Sequence, residues 1–186
     1  MTKKPFLFAS MVVGLAVILG AGKMMKQSSF QVYSNDIKPY QMLNKAQVYN
    51  AGGCAGLGDN ISPQLAWANA PEGTKSFAII CHDPDAPHAT GWYHWLVVNI
   101  PADISEIAAG AKINEALETI TDFKQNAYGG ACPPVGHGIH HYNFSVYALD
   151  CEKLGVAANT SPVEVEKLVQ QHALAQATLT GLYERK

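Results

Sequence analysis

Short apolar or alternating runs recur along the chain, each bounded by Pro, Gly, Asp or Asn, and this pattern predicts β-strands. The region 103–127 has no clear period, and within it Ile113–Thr121 is compatible with either a short helix or an extended segment. The runs that predict strands most clearly are Gln64–Trp67, Ser76–His82, Tyr93–Ile100 and His141–Leu149, with weaker candidates at Phe30–Tyr33 and Ala46–Tyr49. We therefore expect a mainly β protein.

One helix is predicted near the C-terminus. Ser161 can cap it, Pro162 suits its first turn, and Glu164 completes a capping box. Gly181 is expected to end it. The face that repeats at helical spacing consists of Val165, Leu168, Val169, His172, Ala175 and Leu179. On this face His172 is expected to be a buried core residue rather than a ligand.

The first 22 residues have the pattern of an export segment. Lys3 and Lys4 precede an apolar run over residues 5–22 that ends in small residues. The run also approaches the ~20 residues needed to span a bilayer. We expect a signal peptide or retained anchor at 1–22, a linker at 23–29 and a single domain at 30–186. The protein is accordingly expected to be periplasmic or secreted, touching a membrane only through a retained N-terminal segment.

The charge distribution argues against a nucleic-acid-binding protein, and the cysteine spacing argues against two common cysteine motifs. The net charge is −2, and Lys and Arg form no cluster outside the N-terminus, whereas a nucleic-acid binder usually carries a basic footprint. The four cysteines show no CxxC spacing, which excludes a zinc knuckle or thioredoxin-like motif.

Titratable residues lie at one end of each apolar stripe in the three central strands. Residues two apart share a face of a strand. On the first strand, Asp83 lies on the same face as Phe77, Ile79 and Cys81. On the second, His94 shares a face with Leu96, Val98 and Ile100. On the third, His140 and Tyr142 share a face with Phe144, Val146 and Ala148. If the first two strands form an antiparallel hairpin across 84–92, Asp83 and His94 meet at one mouth of the core, and His140 can join them. Any strand can end in a polar residue at water, but three that converge favour a site.

Two loops beside these strand ends are rich in Pro and Gly. Asp83–Pro87 holds two prolines and two acids, and Tyr128–Gly138 holds four glycines and two prolines. Either loop is compatible with a simple tight turn. Glycine also allows the backbone to approach a ligand closely, so amides of the second loop are expected near a bound molecule.

At these residues the sequence resembles the phosphatidylethanolamine-binding protein family, also called the Raf kinase inhibitor protein family, and in particular its bacterial YbhB/YbcL branch. The resemblance covers about residues 30–185. It rests on Asp59–Pro63, on Asp83–Pro87 with Gly91 and the His94-Trp95 pair, on Gly129–Tyr142, and on Gly181–Arg185.

The resemblance implies a large central antiparallel sheet packed on a smaller one, with peripheral helices that include a C-terminal one ending at Gly181–Arg185. It also implies a small pocket for phosphate, acetate or phosphorylated head groups. The residues that match the pocket positions of the family are Asp83, Pro87, His94, Gly130, Pro134, His140 and Tyr142.

Two positions depart from the family pattern. His141 replaces an Arg, which removes a fixed positive charge, although strand parity points His141 away from His140 and Tyr142. Cys132 stands where relatives often have Gly or Ala. Its side chain is expected either to narrow the pocket or to pair with Cys54.

By resemblance, the expected function is that of a non-catalytic anion-binding regulator, or an inhibitor of a kinase or protease, acting without a cofactor as a monomer or homodimer. One alternative is a carrier of lipids or small phosphorylated ligands. Another is a metal-dependent hydrolase that uses the histidines of 82–94 and 137–141 with Asp83 and Asp85. Because Asp83 is expected to raise the pKa of His94 and His140, anion binding is predicted to weaken as pH rises through about 7.

Overall fold

The computed structural model describes residues 29–186, so the export segment at 1–22 and the linker up to residue 28 lie outside the described residues. Among residues 29–186, no helix is long and apolar enough to cross a bilayer. The elements are β1 (Gln31–Tyr33), β2 (Leu65–Ala68), β3 (Ser76–Asp83), β4 (Trp92–Pro101), β5 (Glu106–Ile107), β6 (Leu117–Glu118), β7 (His140–Leu149), α1 (Pro162–His172) and β8 (Ala173–Tyr183).

Two antiparallel sheets form the fold. The larger has the strand order β6-β4-β3-β7-β8 and the smaller β1-β2-β5. One core lies between the sheets, where Leu65 and Trp67 of β2 join the Phe77 and Ile79 face of β3. A second core lies on the opposite face of the large sheet, where α1 packs its buried Val165 and Val169. The mainly β fold, with one sheet packed on a smaller one and a C-terminal helix, is confirmed.

Two β-bulges in β4 change which of its residues share a face. Cys81 pairs with Trp95 and His82 with Tyr93, so His94 is an extra residue that no residue of β3 opposes. Because an inserted residue reverses the alternation of side chains, His94 does not belong to the stripe of Leu96. The predicted stripe of His94, Leu96, Val98 and Ile100 is therefore wrong.

The second bulge lies at Asn99, whose φ of 61° is in the left-handed region. Leu96 and Val98 face α1, whereas Ile100 faces the small sheet. The side chain of Asn99 accepts a hydrogen bond from the amide of Leu154 at 2.8 Å, which ties the bulge to the loop before α1.

The predicted C-terminal helix is correct up to His172 and wrong beyond it. Ser161 caps α1 by accepting from the amide of Glu164, but Ala173–Tyr183 forms β8 along the whole of β7. Ala175 and Leu179 satisfy a helical spacing and a two-residue alternation equally, and the ladder with β7 decides for the strand. His172 is not a core residue, since 42% of its side chain is exposed and it bonds Asp150.

Two further segments differ from expectation. The predicted strand at Ala46–Tyr49 is instead a 3-10 turn over Lys45–Gln47 followed by a single bridge between Val48 and Ala131. Within Ile113–Thr121, the chain is not helical and contributes only the two residues of β6 to the edge of the large sheet.

Candidate functional site

A cavity of about 340 Å³ lies where the end of β3 and the starts of β4 and β7 meet. These strand ends are brought together because β4 and β7 both run antiparallel to β3. All predicted site residues except Gly130 line the cavity, namely Asp83, Pro87, His94, Pro134, His140 and Tyr142.

Gly130 lies behind the cavity wall. A Cβ at this position would stand 2.5 Å from the carbonyl oxygen of Gln47 and the amide nitrogen of Tyr49, so glycine is needed for two backbone segments to pack. Its amide donates to the side chain of Asn60 at 2.7 Å. The loop glycine thus positions the wall, and its amide has a protein partner in place of the ligand that the sequence suggested.

Asp83 and His140 form a buried pair at the base of the cavity. The two residues are 2% and 1% exposed, and His140 Nδ1 donates to Asp83 Oδ2 at 2.7 Å. Asp83 Oδ1 accepts from the amide of Asp85 at 2.9 Å. Both carboxylate oxygens therefore have protein donors, which stabilises the buried charge.

His140 also connects the base of the cavity to the surface. Its Nε2 lies 2.8 Å from Nδ1 of His137, whose side chain is exposed. One hydrogen is shared between these two nitrogens, so a row of hydrogen bonds runs from buried Asp83 through His140 to His137.

His94 is held by Gly129 through both its backbone and its ring. Its Nδ1 donates to the carbonyl of Gly129 at 2.7 Å, and the amide of Gly129 donates to the carbonyl of His94 at 2.8 Å. Burial lowers the pKa of His94 to about 4, outweighing the favourable contacts with Gly129 and Asp83. Asp83 does favour the charged ring, as expected, but the expectation that the pKa of His94 lies above its ordinary value is wrong because burial outweighs this contact. The ring is neutral at pH 7, and Nε2 carries its lone pair.

Two lining residues carry a side-chain O–H or N–H for which residues 29–186 provide no acceptor. These are the hydroxyl of Tyr142 and the indole Nε1 of Trp92, both buried. Burial raises the pKa of Tyr142, with the Asp83 charge acting in the same direction, so the phenol keeps its proton. An unpaired buried donor costs about 1–3 kcal/mol, and a ligand that accepts from it removes that cost.

An aromatic wall that the sequence did not predict completes the cavity. Phe123 contacts Tyr49, Trp92 and His94, with ring centroids 4.5, 5.5 and 5.3 Å apart respectively. Gly129 makes room for this wall, because a Cβ there would meet the Phe123 ring at 2.4 Å. Trp92 lies opposite Asp83 in the β3–β4 ladder, so a correct hairpin register could have assigned it.

A disulfide joins the two Gly-rich loops at the cavity rim. Cys54 and Cys132 are bonded with their Cα atoms 6.1 Å apart, which is the pairing that the resemblance suggested. Arg185 reinforces the link by donating to the carbonyls of Pro133 and Gly53 at 3.2 and 2.8 Å. The wall formed by these loops is therefore fixed at several points.

His141 points away from the cavity, as strand parity predicts. Its amide and its Nδ1 each donate to Asp85 Oδ2 at 2.8 Å. Burial opposes ionisation of Asp85, but these bonds from His141 prevail and lower its pKa. The replacement of Arg by His thus leaves the lining itself unchanged.

Comparisons with known proteins agree on one family. A sequence profile described as phosphatidylethanolamine-binding protein matches residues 33–184. YbcL of Escherichia coli strain K12 is 42% identical over 166 residues, which cover 86% of this chain and 90% of YbcL. YbhB of the same strain is 43% identical over 159 residues, covering 82% of this chain and 99% of YbhB.

A solved structure gives the same result. The crystal structure of Escherichia coli YbcL, described as a new member of the mammalian PEBP family, superposes with a TM-score of 0.81 at 43% identity. The match covers 86% of this chain and all of the YbcL chain.

Proposed function

Since this chain belongs to the phosphatidylethanolamine-binding protein family, we propose that it binds a small singly charged phosphate monoester, such as a phosphorylated head group released from a lipid, without catalysing a reaction. The observation that carries the proposal is the pair of unpartnered buried donors, Tyr142 and Trp92, in one cavity with the lone pair of His94.

The donors suit an anion. The phenol O–H of Tyr142 and the indole N–H of Trp92 can each donate to a phosphate oxygen, and neither can accept as strongly as it donates. Both stay protonated over the physiological range. They therefore offer neutral hydrogen bonds to a negative oxygen without requiring a positive side chain.

The charges of the lining favour one negative charge over two. Among residues 29–186, no Lys or Arg lines the cavity, and the buried carboxylate of Asp83 lies at its base. A dianion would be repelled by Asp83, and the Arg185 guanidinium, which bonds the rim carbonyls of Pro133 and Gly53, is not part of the lining. A monoanion that keeps one hydroxyl can in addition donate to Nε2 of His94.

The walls suit a short organic substituent. Tyr49, Trp92, Phe123 and the prolines of both loops form an apolar surface above the polar base. Ligand sites combine such walls with a few polar groups that orient the ligand, and about 340 Å³ is at the small end of their range. The cavity fits a head group rather than a whole lipid.

Binding is proposed in place of catalysis because the lining offers no activated nucleophile. The one cysteine in the lining, Cys132, is in a disulfide, and the phenol of Tyr142 keeps its proton. The imidazole of His140 is occupied by Asp83 on one side and His137 on the other.

Calorimetric titration with methyl phosphate at pH 5.5 tests the proposal. We expect one site per chain, and binding about tenfold weaker or more in Tyr142→Phe, since a hydrogen bond to a charged group contributes about 1.5–3 kcal/mol. The matched control is Tyr147→Phe on the other face of the same strand, which should bind like the parent. Equal affinity in Tyr142→Phe and the parent would refute the assignment.

Phosphorus NMR of the same mixture tests the non-catalytic part. Methyl phosphate should remain intact after prolonged incubation, whereas protein-dependent release of inorganic phosphate would indicate a hydrolase. The kinase- or protease-inhibitor role and the export of the chain stay predictions.

A further inference from the structure

A group of three metal-ligating side chains lies at the end of β7 opposite the cavity. Asp150 and Cys151 directly follow β7, and His172 is the last residue of α1. One ligand atom from each residue lies within 4.8 Å of the other two. Among residues 29–186, it is the one such group of three or more His, Cys, Asp or Glu residues.

The backbone of this group is fixed by the fold. The amide of Asp150 donates to the carbonyl of His172 at 3.0 Å, and the hydroxyl of Ser76 donates to the carbonyl of Cys151 at 2.6 Å. The side chains of Asp150 and His172 already meet, with Nδ1 to Oδ1 at 2.8 Å. The three side chains would therefore turn towards one ion on a backbone that is already held in place.

Cys151 is the cysteine of the described chain that an ion can reach as a thiol. Cys54 and Cys132 are joined in the disulfide, and Cys81 is buried in β3. Cys151 is free and only partly buried, and all three members of the group have some solvent exposure.

We propose that Asp150, Cys151 and His172 bind a zinc ion. Zinc prefers tetrahedral sites built from thiolate, imidazole and carboxylate, with ligand bonds of about 2.0–2.3 Å. Such bonds place ligand atoms about 3.3–3.8 Å apart, so the 2.8 Å contact between Asp150 and His172 must open slightly, while separations of up to 4.8 Å must close by about 1 Å. Three protein ligands leave a fourth position for water. The ion would join the C-terminal end of α1 to the end of β7.

A second Asp–His pair shows what the cysteine adds. His141 and Asp85 have the same 2.8 Å contact between Nδ1 and a carboxylate oxygen, with similar exposure, but no third ligand beside them. Two ligands hold zinc weakly. The proposal therefore depends on Cys151, and the His141–Asp85 pair supplies the matched control.

Competition of the full, tag-free chain with a chromophoric zinc chelator tests the proposal. We expect one zinc ion per chain, bound at least about tenfold more weakly in Cys151→Ser, His172→Gln and the exposed Asp150→Asn. His141→Gln should bind zinc like the parent. Circular dichroism confirms that each variant is folded.

Cobalt substitution identifies the ligand. Co²⁺ added to the parent should give the near-ultraviolet absorption of a thiolate-to-cobalt transition, and this band should be missing in Cys151→Ser. No zinc binding by the parent, or binding of unchanged strength in Cys151→Ser and His172→Gln, would overturn the proposal. The result is independent of the cavity, because none of these residues lines it.

Discussion

His94 is a buried imidazole that contributes differently to stability at different pH values. Its pKa is about 4 in the folded chain and near 6.5 when unfolded, so between these values the unfolded state binds more protons. Stability from this residue is therefore fully present above pH 6.5 and falls as pH drops towards 4. We expect a loss of about 3 kcal/mol over that window.

Urea unfolding at pH 7 and pH 4.5 measures this effect. Glutamine does not titrate, so in His94→Gln the difference in unfolding free energy between the two pH values should be smaller by most of that ~3 kcal/mol. The control is His141→Gln, a half-exposed histidine whose removal should leave the His94 contribution in place. A His94→Gln variant with the full pH dependence of the parent would show that His94 is not responsible.

At the scale of elements, the disulfide and Arg185 connect two loops that have little regular structure of their own. The Cys54–Cys132 bond closes a loop of 78 residues, and a cross-link of that span stabilises by about 4.5 kcal/mol in the chain-entropy treatment. The same two loops carry Gly53, Pro133 and Pro134 of the cavity wall. Stability and ligand affinity are thus expected to change together.

The double substitution Cys54→Ala/Cys132→Ala tests this coupling. We expect a lower unfolding free energy by a few kcal/mol and weaker binding of methyl phosphate, since the wall is no longer held at its rim. Cys151→Ser, measured in a metal-free buffer, is the control and should keep the affinity of the parent. An unchanged affinity in the double variant would mean that Arg185 and the bridge at Val48 hold the wall alone.

Local sequence pattern predicts the central strands well and their irregularities poorly. Alternation places Asp83, His140 and Tyr142 correctly, because the β3–β7 ladder runs without a register shift from Ser76 and Leu149 to His82 and Asn143. It fails in β4, where the bulges at His94 and Asn99 each reverse the faces. A bulge depends on the register with a neighbouring strand, and a single strand's sequence does not contain that information.

The end of α1 shows a second limit of local pattern. Ala173–Tyr183 combines good helix formers with an alternation of small and polar residues, so propensity and period conflict. Pairing with the full length of β7 resolves the conflict in favour of a strand. Only the tertiary context supplies that pairing.

At the scale of the whole molecule, the polar base of the cavity could be predicted and its aromatic wall could not. The base comes from three strand ends whose order follows from short antiparallel connections. The wall comes from Tyr49 and Phe123, which lie in irregular segments far apart in sequence and meet only because Gly129 leaves space. The pKa of His94 could not be predicted either, because it depends on how deeply the ring is buried and the sequence does not reveal that.

The measurement that tests the central claim most directly compares methyl phosphate with methyl sulfate, by calorimetry at pH 5 and pH 8. At pH 5 both are monoanions of the same shape, but only methyl phosphate has a hydroxyl that can donate to Nε2 of His94. At pH 8 methyl phosphate has passed its second ionisation near pH 6 and faces Asp83 as a dianion. Because titration of the protein affects the binding of both ligands, the ratio of their affinities isolates the effect of the ligand's own proton.

We predict that methyl phosphate binds at least about fivefold more tightly than methyl sulfate at pH 5, and that this preference is lost at pH 8. A preference for methyl phosphate that grows at pH 8, or equal affinities at pH 5, would contradict a pocket built for a protonated monoanion.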